Sequence, residues 1–222
     1  MKTDSELQRD VMIELRWEPG IQAAEIGVGV KGGVVTLSGN VDTYSKRWAV
    51  ARAAKRVAGV KSVVEEIKVS LPSSYKRNDE DIAESARGVL KWNLQVPKDR
   101  VYVMVENGTI TLSGEVDWYY QMDAAEDAIR HLLGVTGVIN RITIRPKVQT
   151  VNASEVKQGI ADALKRSARL LRDAERIQVE VAGSKVILTG SVGSWADRDD
   201  AEYTAFCAPG VSEVENKLKV TG

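Results

Sequence analysis

The sequence predicts an α+β protein made of three tandem small domains. Each is expected to be a two-layer α-β-β-α-β sandwich, with a three-stranded mixed sheet and two helices on one face of it. One supporting observation is a motif that occurs three times, at residues 28–39, 103–114 and 179–190. The glycine that closes the motif recurs after 75 and then 76 residues, an interval typical of a small autonomous domain. A second observation is that amphipathic helical patterns lie before and after every copy.

Each domain is predicted to begin with a helix. In the first copy, Leu7, Val11 and Leu15 are spaced at i, i+4 and i+8, which places them on one helical face. Pro19-Gly20 ends this helix. The same apolar face recurs in the other copies, where it consists of Ile82, Ala86, Leu90, Val156, Ile160 and Leu164.

The repeated motif itself predicts a β-hairpin. Val28 and Val30 alternate with other residues before a Gly-rich turn, and Val35 and Leu37 alternate after it. This period of two is typical of half-buried strands joined by a tight turn. Because the intervening positions are mostly polar, one face of each sheet is expected to be covered and the other exposed to water.

A second helix and a third strand complete each domain. In the first copy the helical pattern covers residues 45–57, Gly59 stops it, and alternating apolar residues from Val60 to Val69 predict a strand. A right-handed β-α-β crossover should make this strand parallel to a neighbour. The predicted domains cover residues 3–71, 79–146 and 152–221, joined by short polar linkers.

Glycines at the turn and at the end of the motif are expected to supply backbone geometry. The turn at Lys31-Gly32-Gly33 lies between two strands and has neither the Walker spacing nor a G-x-G-x-x-G fingerprint, which argues against a phosphate-binding loop. A positive φ is the simpler role for these residues. The structural glycines assigned in this way are Gly33, Gly39, Gly108, Gly114, Gly183 and Gly190.

Composition and charge argue against several classes of function. The chain has 31 basic and 31 acidic residues, so no overall positive charge points to nucleic acid. Its first residues lead directly into a charged amphipathic segment, and no apolar run is long enough to span a bilayer. We therefore expect a cytoplasmic protein without a transmembrane segment. The alternative is a periplasmic protein whose signal segment is missing from this sequence.

A catalytic or metal site is not expected. His131 is the single histidine and Cys207 the single cysteine. They are distant in sequence and provide neither metal-ligand spacing nor a Cys/His nucleophile pair. The short loops predicted for each sheet also leave no deep pocket. The sequence therefore predicts a protein that is not an enzyme and uses no cofactor.

The recurring pattern resembles a known domain family. It combines a leading amphipathic helix, the hairpin V-x-V-x-x-G-x-V-x-L-[ST]-G, a second helix, and a last strand preceded by Gly-Val at residues 59, 134 and 210. In all three copies this combination resembles the BON domain, the module named for bacterial OsmY and nodulation proteins. The resemblance implies a non-enzymatic binding module. Several relatives bind phospholipid at a membrane surface, one binds potassium ion, and induction by osmotic or envelope stress is common among them.

The second helix of the first domain is the candidate lipid-binding site. Residues 46–56 carry five cations, no acid and one tryptophan, a composition that can lie on anionic phospholipid. The candidates are Lys46, Arg47, Trp48, Arg52, Lys55 and Arg56. The alternative is a solvated outer face with Trp48 turned into the core. A second possible basic surface in the third repeat contains Lys165, Arg166, Arg169, Arg172 and Arg176.

Trp118 and Tyr120 are candidate contacts for a protein partner. Tyr119 between them aligns with Tyr44 and Trp195, so this one aromatic position is expected to be structural in every copy. Residues 79–146 carry 11 acidic and 7 basic residues, which disfavours anionic lipid at this place. The leading prediction is a stress-associated protein that binds anionic phospholipid or a membrane surface. A protein-interaction scaffold and a potassium-ion sensor are the alternatives.

Overall fold

The structure is a computed structural model that describes residues 2–147 and 152–221. Residues 148–151, in the second predicted linker, lie outside this part of the chain. The α+β fold and the α-β-β-α-β order of all three repeats are confirmed. The molecule divides into two compact units. One contains most of the first domain together with the third, and the other contains residues 40–47 and 68–147.

The first domain follows the predicted order. Its elements are α1 (Asp4–Trp17), β1 (Ile26–Lys31), β2 (Val34–Val41), α2 (Tyr44–Arg56) and β3 (Ser62–Val69). Strand β2 lies between β3 and its antiparallel partner β1. The predicted apolar face of α1 is buried, and this helix packs against β1. Apolar side chains recur every 3.6 residues in α1 and every two residues in β1, so both sets point into one core.

The second domain has the mixed sheet that the crossover argument predicts. Its elements are α3 (Asp79–Trp92), β4 (Val101–Glu106), β5 (Thr109–Val116), α4 (Tyr119–Arg130) and β6 (Gly137–Ile144). Strand β5 pairs antiparallel with β4 and parallel with β6. Helix α3 contacts both α4 and β4, which buries its apolar face under the sheet.

The third domain differs from the others in its last strand. Its elements are α5 (Ala153–Arg166), β7 (Ile177–Ala182), β8 (Lys185–Val192), α6 (Trp195–Phe206), β9 (Glu213–Asn216) and β10 (Lys219–Val220). Strands β9 and β10 occupy the place of one longer strand, and both pair in parallel with β8. The core includes Ile160 and Leu164 of α5 and Leu188 of β8, all almost fully buried. The two-layer arrangement is thus retained in all three domains.

The glycines that close the motif occupy positions where a side chain does not fit. Their φ angles are +129°, +123° and +119°. A Cβ atom would lie 2.2, 2.0 and 1.9 Å, respectively, from a backbone oxygen of the residue that precedes the first strand. These three glycines are Gly39, Gly114 and Gly190, and the facing residues are Glu25, Arg100 and Arg176. Each central strand therefore approaches the neighbouring backbone too closely for any residue except glycine.

An aspartate at the start of the first helix holds the hairpin turn in two domains. The Asp4 carboxylate accepts hydrogen bonds from two turn N–H groups of the first domain, at 2.8 and 3.1 Å. The Asp79 carboxylate accepts equivalent bonds from Asn107 and Gly108, both at 2.8 Å. In the third domain, Ala153 occupies this position and has no carboxylate to offer. The turn glycines Gly33, Gly108 and Gly183 all have positive φ.

Replacing Asp79 by alanine is expected to lower the stability of the second domain by about 1–3 kcal/mol, because two turn N–H groups lose a charged acceptor. Hydrogen exchange of the amides in β4 and β5 measures the change. Glu80→Ala is the matched control, since its exposed carboxylate also lies in the first turn of α3. Equal losses in the two variants would contradict a specific role for Asp79.

Candidate functional site

Most cations near the end of α2 are paired with carboxylates. Arg56 donates from Nε to Glu14 at 2.8 Å and from Nη2 to Glu18. The hydrogen bond to Glu18 raises the pKa of Arg56, so this guanidinium stays charged. Lys55 Nζ lies 3.4 Å from a carboxylate oxygen of Asp199 in the third domain. These two members of the candidate lipid site therefore already have anionic partners within the chain.

The earlier part of the same helix is also partly engaged. Lys46 Nζ lies 2.8 Å from Asp42. Trp48 is half-buried, and the guanidinium carbon of Arg52 lies 4.9 Å from its ring centroid in a cation–π contact. Arg47 is half-buried as well. At least three of the five cations, Lys46, Lys55 and Arg56, are thus paired with carboxylates, and this site remains a prediction whose positive charge is largely compensated.

The two candidate protein contacts of the second domain are partly accessible. Trp118 is 39% exposed and occupies the N-cap position of α4, while Tyr120 is 44% exposed in its first turn. Tyr119, between them, is half-buried. Burial raises the pKa of Asp123, one turn further along α4. The helix therefore presents partly exposed aromatic side chains beside acidic ones, and this site also remains a prediction.

Neither His131 nor Cys207 belongs to a recognisable metal site. His131 is the exposed C-cap of α4, and Cys207 is the C-cap of α6. Among the described residues, no cluster of three or more His, Cys, Asp or Glu side chains is arranged to bind a metal ion. Within residues 2–147 and 152–221, no helix has both the length and the apolar character that crossing a bilayer requires.

Two tryptophans that the sequence analysis did not select are the most exposed aromatic side chains described. Trp17 at the end of α1 is 81% exposed, and Trp92 at the same position of α3 is 82% exposed. Leu94, two residues beyond Trp92, is fully exposed. A helical wheel predicts that Trp17 is exposed, because Trp17 lies about 200° around the helix from the buried Leu15. The end of the first helix thus presents a large apolar side chain to solvent in both domains.

Cations accompany the exposed apolar groups of α1. Met12 and Ile13 are also exposed, and they border a shallow depression of about 260 Å³ together with Arg9 and Arg16. Among the described residues, neither of these arginines forms an ion pair within the chain. The outer face of α1 therefore combines apolar and cationic side chains, whereas the cations of α2 largely face carboxylates.

The third domain has a related surface at the end of its first helix. Leu171 is 65% exposed, and basic residues surround it in the chain. Two of them are paired, Arg169 with Asp200 at 3.1 Å and Arg176 with Asp173 at 3.5 Å. Lys165, Arg166 and Arg172 are exposed. All three domains thus present exposed apolar side chains with nearby cations where the first helix ends.

Two solved structures that match this chain are distantly similar to it. A chain described as CdsD, a structural protein of the type III secretion system of Chlamydia trachomatis, is 16% identical, with a TM-score of 0.27. The match covers 97% of this chain and 92% of that one. A second CdsD structure, of the C-terminal domain, is 16% identical with a TM-score of 0.26 and full coverage of both chains. TM-scores this low give no support to a functional argument.

Sequence comparisons are more informative. Osmotically-inducible protein Y of Escherichia coli (strain K12) is 32% identical over 155 residues, which cover 64% of this chain and 72% of the relative. The family model of the BON domain matches residues 3–70, 78–146 and 152–222. The matches coincide with the three α-β-β-α-β repeats. The chain therefore belongs to the BON-domain family and carries three BON domains in tandem.

Proposed function

We propose that this chain is a non-enzymatic protein that binds anionic phospholipid at a membrane surface through the ends of its first helices. The observation that carries the proposal is the exposure of Trp17 and Trp92, 81% and 82%, at the same position of two domains. Tryptophan is highly buried on average, so two tryptophans with this exposure at the same position of two domains favour a contact. At a membrane interface its ring enters the headgroup region while the N–H stays hydrated.

The surrounding charges favour an anionic surface. On α1 the exposed Trp17 directly follows the exposed Arg16, and Arg16 lines the same depression as Arg9. On α3 the corresponding Trp92 follows the exposed Lys91. Each cation near a negatively charged leaflet contributes about 1 kcal/mol to binding. Apolar insertion and electrostatic attraction are thus available from the same stretch of helix, which is typical of peripheral membrane proteins.

The family supports a role in stress. The Escherichia coli relative is named for induction by osmotic conditions, and we extend this association to the present chain. We expect its expression to rise after an osmotic upshift. The candidate lipid site on α2 is retained as an alternative position for membrane contact, with Arg52 as one of its exposed cations.

Co-sedimentation with vesicles tests the proposal. The full chain should bind vesicles that contain phosphatidylglycerol, bind phosphatidylcholine vesicles weakly or not at all, and dissociate as salt is raised. Arg9→Glu with Arg16→Glu should weaken binding more than Lys46→Glu, Arg47→Glu and Arg52→Glu together. The reverse order would move the site to α2. Absence of binding to every vesicle composition would contradict the proposed function.

A protein-interaction scaffold is the second candidate function. It is supported by the partial exposure of Trp118 and Tyr120 in an acidic part of the second domain. Such a role predicts a complex that persists without lipid, which sedimentation velocity would detect.

Potassium sensing stays a prediction, because its expected ligands are backbone carbonyls and side-chain identity does not locate such a site. It requires that K⁺, but not Na⁺, raises the melting temperature.

A further inference from the structure

A groove of about 500 Å³ runs between the two helices of the third domain. One wall is a stripe that extends from Asn152, the N-cap of α5, to Arg166, and the other wall consists of the end of α6 and the residues after it. Val156 and Ile160, both buried, form part of the wall on α5. The volume lies within the range of small-molecule sites, about 300–1,000 Å³.

Small side chains create this groove. In the first domain the same space between the helices is bridged by Arg56, which bonds Glu14 and Glu18. The aligned residues of the third domain are Cys207, Ala163 and Ser167, which are too short to meet across the gap. Gly159 widens it further, since a Cβ atom built there would have no neighbour within 4 Å.

The dimensions of the groove fit a ligand that is one extended chain of atoms. From Asn152 to Arg166 the lining stripe covers 14 residue steps, or about 21 Å at 1.5 Å per residue. A helix of this length with a diameter of about 10 Å would occupy roughly 1,600 Å³, more than the groove of about 500 Å³ can enclose. An extended peptide would bring backbone N–H and C=O groups against an apolar wall. A hydrocarbon chain has no such groups.

The charges at the two ends give the ligand a direction. Arg166 lies at one end of the stripe on α5, and Glu155 lies near the other. The residues between them, such as Val156, Ile160 and Ala163, are apolar. An anionic head group is therefore attracted to the Arg166 end and repelled from the Glu155 end.

We propose that the groove of the third domain binds one long-chain fatty acid, with its carboxylate at Arg166 and its hydrocarbon chain along α5. This site needs no bilayer and so goes beyond the membrane-surface function. The expected affinity increases with chain length by roughly fourfold per buried methylene. Palmitate should therefore bind much more tightly than octanoate.

Cys207 provides a direct measurement, because it is the single cysteine of the chain and lines the groove. Bound palmitate should slow the reaction of this thiol with Ellman's reagent. The palmitate concentration that gives half of this slowing should equal the concentration that gives half-saturation in a calorimetric titration. Octanoate at the same concentration should have little effect. A thiol reaction that palmitate does not change, or calorimetry without saturation, would overturn the proposal.

Gly159→Phe fills the groove and should weaken palmitate binding at least tenfold. The matched control is Gly88→Phe, a helical glycine of the second domain that also has no neighbour within 4 Å of its Cβ. Arg166→Glu should weaken binding as well, by removing the partner of the carboxylate. Gly159→Leu repeats the test with a better helix former if the larger residue disturbs folding. Equal affinities in Gly159→Phe and Gly88→Phe would overturn the site.

Vesicle binding separates this proposal from the membrane-surface function. Gly159→Phe should leave co-sedimentation with phosphatidylglycerol vesicles unchanged, since Trp17 and Trp92 are intact in it. Failure of palmitate binding beside normal vesicle binding would overturn only the groove. Normal palmitate binding without vesicle binding would overturn only the membrane-surface site.

Discussion

A Gly114→Ala variant is expected to lose about 2–6 kcal/mol of the stability of the second domain. The new Cβ would lie 2.0 Å from the carbonyl oxygen of Arg100, an overlap that only a backbone shift can relieve. Such overpacking costs about 1–3 kcal/mol. The φ of +123° adds strain of about 1–3 kcal/mol for a residue with a side chain. Because small domains have a stability of about 5 kcal/mol, much of this domain should unfold.

Urea unfolding combined with hydrogen exchange of the β5 amides measures the loss. Gly88→Ala is the control in the same domain, because this glycine lies in a helix with open space around it. That variant should gain about 0.5–1 kcal/mol from the better helix propensity of alanine. If Gly114→Ala is as stable as Gly88→Ala, the close approach of the two backbones is not present in solution.

The second large effect concerns membrane binding. Replacing both Trp17 and Trp92 by glutamate should reduce partitioning onto phosphatidylglycerol vesicles by about a hundredfold. Burying one large apolar side chain contributes about 1.5–3 kcal/mol, and 1.4 kcal/mol is a factor of ten. Each single variant should then lose about tenfold. Because both side chains are more than 80% exposed, neither substitution removes core packing, so stability should change little.

Tyr120→Glu is the matched control for the two tryptophans. It places the same charge at an exposed aromatic position on the other helix of the second domain, in the first turn of α4. Its vesicle binding should equal that of the unmodified chain. Unchanged binding in the double tryptophan variant would contradict the surface assignment, and a loss in Tyr120→Glu alone would move the contact to the start of α4.

Much of the fold follows from periodicity. The apolar face of α1 and the alternation in β1 and β2 each report which side chains turn inward, because a helix repeats every 3.6 residues and a strand every two. Three copies of the pattern reinforce one another. The requirement for glycine at position 114 was also predicted, although its strength depends on the 2.0 Å approach to Arg100, which only coordinates reveal.

The candidate lipid site illustrates the limit of reading one segment alone. Lys46 to Arg56 contains cations without an acid, and the segment therefore predicts a positive surface. Its partners lie elsewhere: Glu14 and Glu18 are 42 and 38 residues from Arg56. A net surface charge depends on such long-range neighbours, which local composition does not contain. The exposure of Trp17, in contrast, could have been predicted from the helical wheel.

The sequence by itself determined the number of domains, their α-β-β-α-β order, the position of each hairpin and the family. These properties depend on local periodicity and on repetition along the chain. Only the tertiary structure decided which cations remain available and where the helices leave a groove. The pairing of charges and the groove between Cys207 and Ala163 depend on distances between residues that are far apart in sequence, and local patterns do not encode these distances.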